Sequence, residues 1–233
     1  MMKLPVQETP NFNTHLPLSK QNVKFRPFLV KEQKNLMMAR EGKNSKEIFD
    51  AICDIISHVT FNKIDALKLP MVDLEYLFLQ IRMRSIGETS KIGLQCQNCQ
   101  HPHETTVDLE SIKIDTDKLP ESKIKISDSL MIELEFPTAG SALIVDELQE
   151  VDAVKPLLRT NMVRIYDESE IYELKDFPDS EINNFIESLT LDQFAEIMKF
   201  FNELPSLEKN IEYKCSNCGT ENKINLKGLQ SFF

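Results

Sequence analysis

Two Cys-x-x-Cys pairs constrain this chain more than any other feature: Cys96 with Cys99, and Cys215 with Cys218, with 115 residues between Cys99 and Cys215. A two-residue spacer lets both thiolates of a pair converge on one ion. Four thiolates complete a tetrahedral shell with no open position, the chemistry of a structural zinc rather than a catalytic one. The surroundings match as well. The first pair reads IGLQ-CQNC-QHPHETTVDL and the second IEYK-CSNC-GTENKINL, with Ile92 and Ile211 each four residues before the first cysteine of their pair. Each half reads as a strand, a two-cysteine knuckle and a returning strand, the unit of a zinc ribbon. Gly219 suits the tight or left-handed backbone that follows a knuckle, and Gln100 at the matching place suits it less. Loop closure grows only logarithmically with length, so a ribbon split by a long insertion is thermodynamically acceptable.

Other readings of the cysteines are two unrelated reduced pairs, a redox Cys-x-x-Cys, and a shell in which His101 or His103 replaces a first-knuckle cysteine. Neither pair sits at a strand-to-helix junction, which disfavours redox chemistry. Both histidines read better as exposed polar neighbours. Cys53 lies on an apolar helix face and reads as buried and inert.

Charge separates the chain into segments. The 233 residues carry a net charge of −10, with residues 1–90 at +3, 91–140 at −4, 141–212 at −11 and 213–233 at +2. So acidic a surface repels polyphosphate and disfavours nucleic-acid binding by the whole chain. The acidic stretch DESEIYELKDFPDSE lacks calcium-loop spacing and reads as a solvated face or as a dock for a basic partner. No apolar run reaches the length of a membrane span and no signal-type segment opens the chain, so a soluble intracellular protein is expected. No nucleophile elbow, phosphate-cradling Gly-rich loop or His-Glu-x-x-His occurs, and no enzyme is expected.

Periodicity predicts the elements. Residues 1–21, polar with three prolines, read as an extended arm. A short strand through Val23 and Phe25 precedes a helix over 29–40 that Gly42 can end. Ser45 can cap the next helix, whose apolar face is Ile48, Phe49, Ile52, Cys53, Ile56 and Val59. A helix starting near Pro70 is apolar on most sides and reads as the central buried one, emerging at Arg82 and Arg84. Residues 123–136 alternate around Ser127-Asp128-Ser129 and predict a β-hairpin. Residues 141–166 look helical with a break at Pro156. Two helices follow over 179–203. Thr190 and Gln193 have capping-box spacing, Leu189 and Phe194 could form a staple, and Phe194, Ile197, Met198 and Phe201 would line the buried side.

The expected architecture is α+β: an arm at 1–21, a helical region at 22–90, ribbon halves at 91–109 and 210–227, and an inserted hairpin-plus-helices subdomain at 110–209. The expected metal ligands are Cys96, Cys99, Cys215 and Cys218, holding one structural Zn2+.

The run Lys24-Phe25-Arg26-Pro27-Phe28-Leu29-Val30-Lys31-Glu32 resembles the opening of the baseplate hub assembly proteins of T-even-type myoviruses. Tyr76-Leu77-Phe78-Leu79-Gln80-Ile81-Arg82, with Arg84, Ser85, Ile86, Gly87 and Glu88, is similar to the same family. So is the order that follows, of knuckle, long mixed middle and second knuckle. The resemblance covers about residues 4–227 and maps the family's cysteine pairs onto Cys96, Cys99, Cys215 and Cys218. It implies a non-enzymatic role in building the central hub of a contractile-tail baseplate, with other hub proteins as partners. The implied location is the cytoplasm of the infected cell, or the tail baseplate of the virion. Arg and aromatic residues are enriched at interface anchors. Phe25, Arg26 and Phe28 therefore read either as a contact surface or as core phenylalanines around an arginine paired with an internal carboxylate, and Arg82 and Arg84 divide the same way. The competing function is a zinc-ribbon nucleic-acid-binding or transcription-associated module. That would call for basic and aromatic residues around the knuckles, where the chain instead has Gln97, Asn98, Ser216 and Asn217, with only Lys214 and Lys223 close to the second.

Overall fold

The structure is a computed structural model that describes residues 8–42, 44–146 and 150–232. In chain order its strands and helices begin with β1 (Phe12–His15), β2 (Asn22–Phe25), α1 (Val30–Glu41), α2 (Ser45–Val59) and α3 (Met71–Ser85). Then come β3 (Thr89–Gln95), β4 (Pro102–Asp108), β5 (Lys123–Lys125), β6 (Met131–Leu134), α4 (Ala139–Asp146) and α5 (Glu150–Asn161). The last are β7 (Met162–Tyr166), β8 (Ile171–Glu173), α6 (Asp179–Ser188), α7 (Leu191–Asn202), β9 (Glu208–Lys214) and β10 (Glu221–Lys227). This is a mixed α+β chain of two compact units. The first comprises Met1–Ala66, Val72–Asp115 and Ser206–Phe233, and the second Leu67–Met71 and Thr116–Pro205. The helices expected as a region of their own at 22–90 thus share a unit with both cysteine hairpins. Among the described residues, no helix is long and apolar enough to cross a membrane.

The first unit is organised around α3. Its run of Val72, Leu74, Leu77, Phe78, Leu79, Ile81 and Met83 leaves almost no polar stripe, and all seven are buried. Side chains of this kind contribute about 1.5–3 kcal/mol each when fully buried. Two acids in the first turns of α3 also face inward and tie down distant chain. Asp73, 0% exposed, accepts the amides of Leu18 and Ser19 at 2.8 Å each. Glu75 accepts the amide of Leu229 at 3.0 Å. Burial holds the Glu75 carboxyl above the usual range, although the Leu229 and Leu207 amides pull it down. Ser90 Oγ donates to the Phe232 carbonyl at 2.8 Å and completes the tether of the last residues.

The expected arm at 1–21 behaves differently. Residues 1–7 lie outside the described residues, but β1 pairs with β2 in an antiparallel hairpin, Phe12 opposite Phe25. Leu16, Val23 and Phe25 bury its inner side, and Asp73 holds its turn. α1 is amphipathic only weakly. Glu32 is its one buried residue, and Gly42 caps it in right-handed rather than left-handed backbone (φ −66°). α2 is capped by Asn44, not Ser45, because the Asn44 side chain accepts the Lys46 amide at 3.0 Å.

The second unit carries a four-stranded antiparallel sheet, order β5-β6-β7-β8, with α4 to α7. The expected hairpin at 123–136 is β5 and β6, register Ile124 opposite Ile132. Residues 162–166, expected to continue a helix, instead form β7 in the middle of the sheet, paired with β6 and β8. Met162-Val163-Arg164-Ile165-Tyr166 is rich in β-branched and aromatic residues, and the edges of β6 and β8 settle its state. α5 contains Pro156 within it and ends where the Asn161 side chain donates to the Leu157 carbonyl at 2.7 Å. Residues 147–149 of the expected helical stretch lie outside the described residues. At α7 the Thr190 and Gln193 side chains cap reciprocally, at 3.3 and 3.0 Å. Its buried residues are Ile197 and Phe200, one position from the expected Phe201.

Candidate metal centre

Two hairpins, β3–β4 and β9–β10, carry the cysteines in their turns. Residue n of the first matches residue n + 119 of the second along the whole length, from Thr89 and Glu208 to Asp108 and Lys227. The matched inward residues Val107 and Leu226 are both buried. Each turn is closed the same way. The Cys96 amide donates to the His101 carbonyl at 3.0 Å and the Gln100 amide to the Cys96 carbonyl at 2.9 Å. In the second hairpin, the Cys215 amide donates to Thr220 and the Gly219 amide to Cys215, both at 2.9 Å. This closure needs a left-handed residue after the second cysteine, and both hairpins have one: Gln100 at φ 59° and Gly219 at φ 73°. Glutamine thus takes the conformation that the second hairpin gives to glycine, a strain of about 1–2 kcal/mol.

The two knuckles meet. Cys96 Sγ lies 3.7 Å from Cys218 Sγ, and Cys99 Sγ lies 3.7 Å from Cys215 Sγ. All four sulfurs lie within 4.8 Å of one another. A tetrahedron with metal–sulfur bonds of about 2.3 Å has edges of about 3.8 Å, whereas a disulfide needs about 2.05 Å. The cluster is thus spaced to coordinate a metal and not to oxidise in pairs. All four cysteines are free thiols.

Hydrogen bonds favour the anionic form at two of the sulfurs, Cys96 and Cys218. The Cys99 amide first, then the Asn98 amide and Asn222 side chain, hold the Cys96 thiol below its ordinary value against burial. The Thr220 hydroxyl, 3.2 Å away, and the Thr220 amide hold Cys218 down to about 6. Cys215 receives the Cys218 and Asn217 amides, but burial and the neighbouring thiols outweigh them and raise it. Each knuckle also reaches the other. Asn98 Nδ2 lies 3.8 Å from Cys218 Sγ, and Asn217 Nδ2 lies 3.6 Å from Cys99 Sγ. Asn222, 1% exposed, accepts the Gln97 amide at 2.9 Å and donates to the Thr220 carbonyl at 3.0 Å, so one side chain joins both hairpins. These asparagines escape a search for ligands. For Asn98 and Asn217 the signal is the residue shared by the two knuckles, Cys-x-Asn-Cys, whereas Asn222 carries none.

The profile of the T4 bacteriophage base plate protein family matches residues 9–233. The chain belongs to that family. No curated protein and no solved structure matches it significantly.

In this baseplate protein the other singled-out residues lie away from the cysteines. Phe25 and Phe28 are buried, 1% and 8% exposed. Arg26 makes a two-pronged pair with Glu32 at 2.7 and 2.9 Å and also donates to the Pro27 carbonyl. Burial pushes Glu32 up, but Arg26 and the Leu29 amide outweigh it and hold the carboxyl below its usual range. Inside the first unit these three residues thus form two buried phenylalanines around an arginine paired with a buried acid. Arg82 is buried too and donates to the Gly87 carbonyl. Arg84 remains on the surface, 3.2 Å from Glu88 and stacked over the Phe12 ring. His103 lies flat against Tyr213 with ring centres 4.0 Å apart, and neither His101 nor His103 joins the sulfur cluster. Cys53 is half-buried, its thiol pushed up to about 12 by burial and then by Asp50 and Asp54, which leaves it inert at neutral pH.

Proposed function

We propose that this baseplate protein acts without catalysis in assembling the central hub of a contractile tail, through protein–protein contacts, and that one structural Zn2+ completes its two cysteine hairpins as a split zinc ribbon. The observation that carries the zinc assignment is the four-sulfur tetrahedron. Thiolates favour zinc among common intracellular ions, and four of them leave no position for substrate or water. Cys96, Cys99, Cys215 and Cys218 would hold the ion and thereby pin the C-terminal hairpin beside the middle of the chain. The hub role rests on family membership together with the runs at 24–32 and 76–88, whose residues build the frame of the first unit. The site of action would be the infected cell's cytoplasm, where hubs are built, or the finished tail.

The charge pattern of the hairpins supports protein rather than nucleic-acid partners. Lys223 pairs with Glu212 at 2.7 Å, Lys227 with Glu208 at 3.4 Å and Lys91 with Glu104 at 3.4 Å. These three lysines are each answered by a glutamate across the strands, which weakens any basic stripe toward a phosphate backbone.

Co-expression with the other hub proteins, followed by pull-down of the zinc-loaded chain, tests the proposal. Association with at least one of them, persisting in moderate salt, is expected. No association with any of them, or salt-sensitive retention of DNA at physiological ionic strength, would overturn it.

A further inference from the structure

The second unit contains an open apolar crevice that the described residues do not fill. It lies between the sheet and α6, has a volume of about 270 Å³, and is lined by Leu130, Ile165, Tyr172, Phe177, Ile182 and Phe185, with Asp167 and Glu181 its charged members among the described residues. Pockets for whole small molecules run about 300–1,000 Å³, so this one is sized for a side chain or two. Apolar walls reward a hydrophobic anchor, and the two carboxylates reward a cation beside it.

The surrounding charge says which partner fits. The second unit holds 9 basic and 20 acidic residues, more negative charge than the whole chain carries net. Its paired cations are committed elsewhere: Lys125 to Asp128, Lys155 to Glu187, Arg159 to Asp179, and Arg164 to Glu133 and Glu173. At the crevice, Asp167 spends its oxygens on the Ser169 and Glu170 amides and on the Tyr172 hydroxyl, at 2.7, 2.7 and 2.8 Å. Those bonds fix the turn and hold its negative charge at the mouth. Like charge left unanswered beside an exposed apolar hollow is unfavourable in the free protein and is relieved by a basic partner.

We infer that this crevice is a docking site for a basic segment of a partner protein, which inserts one large apolar side chain between the sheet and α6 while flanking lysines or arginines meet Asp167 and Glu181. The pairing of an apolar anchor with a charged rim is the usual anatomy of a protein interface. A hub protein could supply that segment, but the chemistry of the crevice does not depend on it. The site would therefore stand even if the hub role failed.

The test uses the full zinc-loaded chain and a short synthetic peptide with one phenylalanine flanked by lysines, titrated by calorimetry and by amide NMR. Binding is expected, with shifts concentrated at Leu130, Tyr172, Phe177 and Phe185. Replacing the peptide's phenylalanine by serine should weaken it about tenfold, and Glu181→Lys in the exposed first turn of α6 should do the same. The peptide-side change needs no alteration of the protein, so it reads the anchor even if a variant misfolds. Absence of binding would overturn the inference. Equal affinity for the phenylalanine and serine peptides would also overturn it, because that is attraction to a polyanion and not docking. So would shifts confined to other surfaces.

Discussion

The two units solve the same problem with opposite means. The first is assembled from three separated pieces of chain, and its ties are long: Asp73 to the β1–β2 turn, Glu75 to Leu229, Ser90 to Phe232, and Gln97 to Asn222. All are polar bonds, buried at Glu75 and Ser90 and part-buried at the other two, and the cysteine cluster joins the same distant pieces. The second is almost one continuous piece. Its core of Ile132, Leu134, Leu158, Ile165, Ile197, Phe200 and their neighbours is plainly apolar, with the ion pairs kept outside. Charge follows the division. The first unit, with 18 basic and 17 acidic residues, is close to neutral, while the second is strongly acidic. A unit made from scattered segments meets a high closure entropy and benefits from directional, high-energy ties. A continuous unit can rely on apolar burial and leave its surface charge to other uses.

Chelation should separate the two most sharply. Apparent metal-binding energies of about 10–16 kcal/mol in zinc-finger peptides compare with about 5–15 kcal/mol for a whole domain's stability. Zinc analysis should find one ion per reduced chain. Its removal should abolish amide protection at 89–108 and 208–227 while Ile132 and Ile165 stay protected. Uniform loss of protection would show that the units are not independent in stability.

The converse is a cavity in the second unit. Ile132→Ala, at a position 0% exposed, should destabilise that unit by about 2–4 kcal/mol in denaturant titrations, with zinc content unchanged. Zinc loss on this substitution would break the comparison.

A smaller effect tests the two knuckles against each other. Gln100→Gly should stabilise the metal-loaded first unit by about 1 kcal/mol, and Gly219→Ala should destabilise it by about as much, both read as shifts in its unfolding midpoint. A Cβ at Gly219 would meet only the end of Lys214, at 3.9 Å, so the backbone alone sets the second effect.

The smallest is a pH effect in the first unit. Burial raises the Glu75 carboxyl above its usual value. Its contribution to stability is therefore fully present below an ordinary carboxylate pKa of about 4.3 and is lost as pH rises through the raised value. Glu75→Gln keeps an acceptor for the Leu229 amide without the charge. The variant should match the parent near pH 4 and become the more stable of the two as pH rises toward neutral. A stability difference independent of pH would sink this account.

Much of the fold can be read from local pattern. The two knuckles with their strands, the central helix after Pro70, the hairpin at 123–136 and the capping box at Thr190 are periodic or carry chemistry within a few residues. The misreadings share a cause. Met162–Tyr166 follows a helical run and continues its pattern locally, and only the neighbours β6 and β8 make it the central strand β7. The arm became a hairpin because a buried aspartate 54 residues beyond Ser19 accepts its turn amides. For Phe25, Arg26 and Phe28 the sequence leaves a contact surface and an internal ion pair both open, because nothing local reveals Glu32 as a buried acid.

The sequence by itself determined which side chains can bind a metal, since ligand chemistry and the two-residue spacer belong to each knuckle alone. It also determined where the excess negative charge lies. Only the tertiary structure decided that the four sulfurs lie within 4.8 Å of one another, that Asn222 bridges the hairpins, and that Asp167 and Glu181 sit beside an apolar hollow. The physical reason is distance along the chain: each of these depends on segments brought together by the burial of other residues.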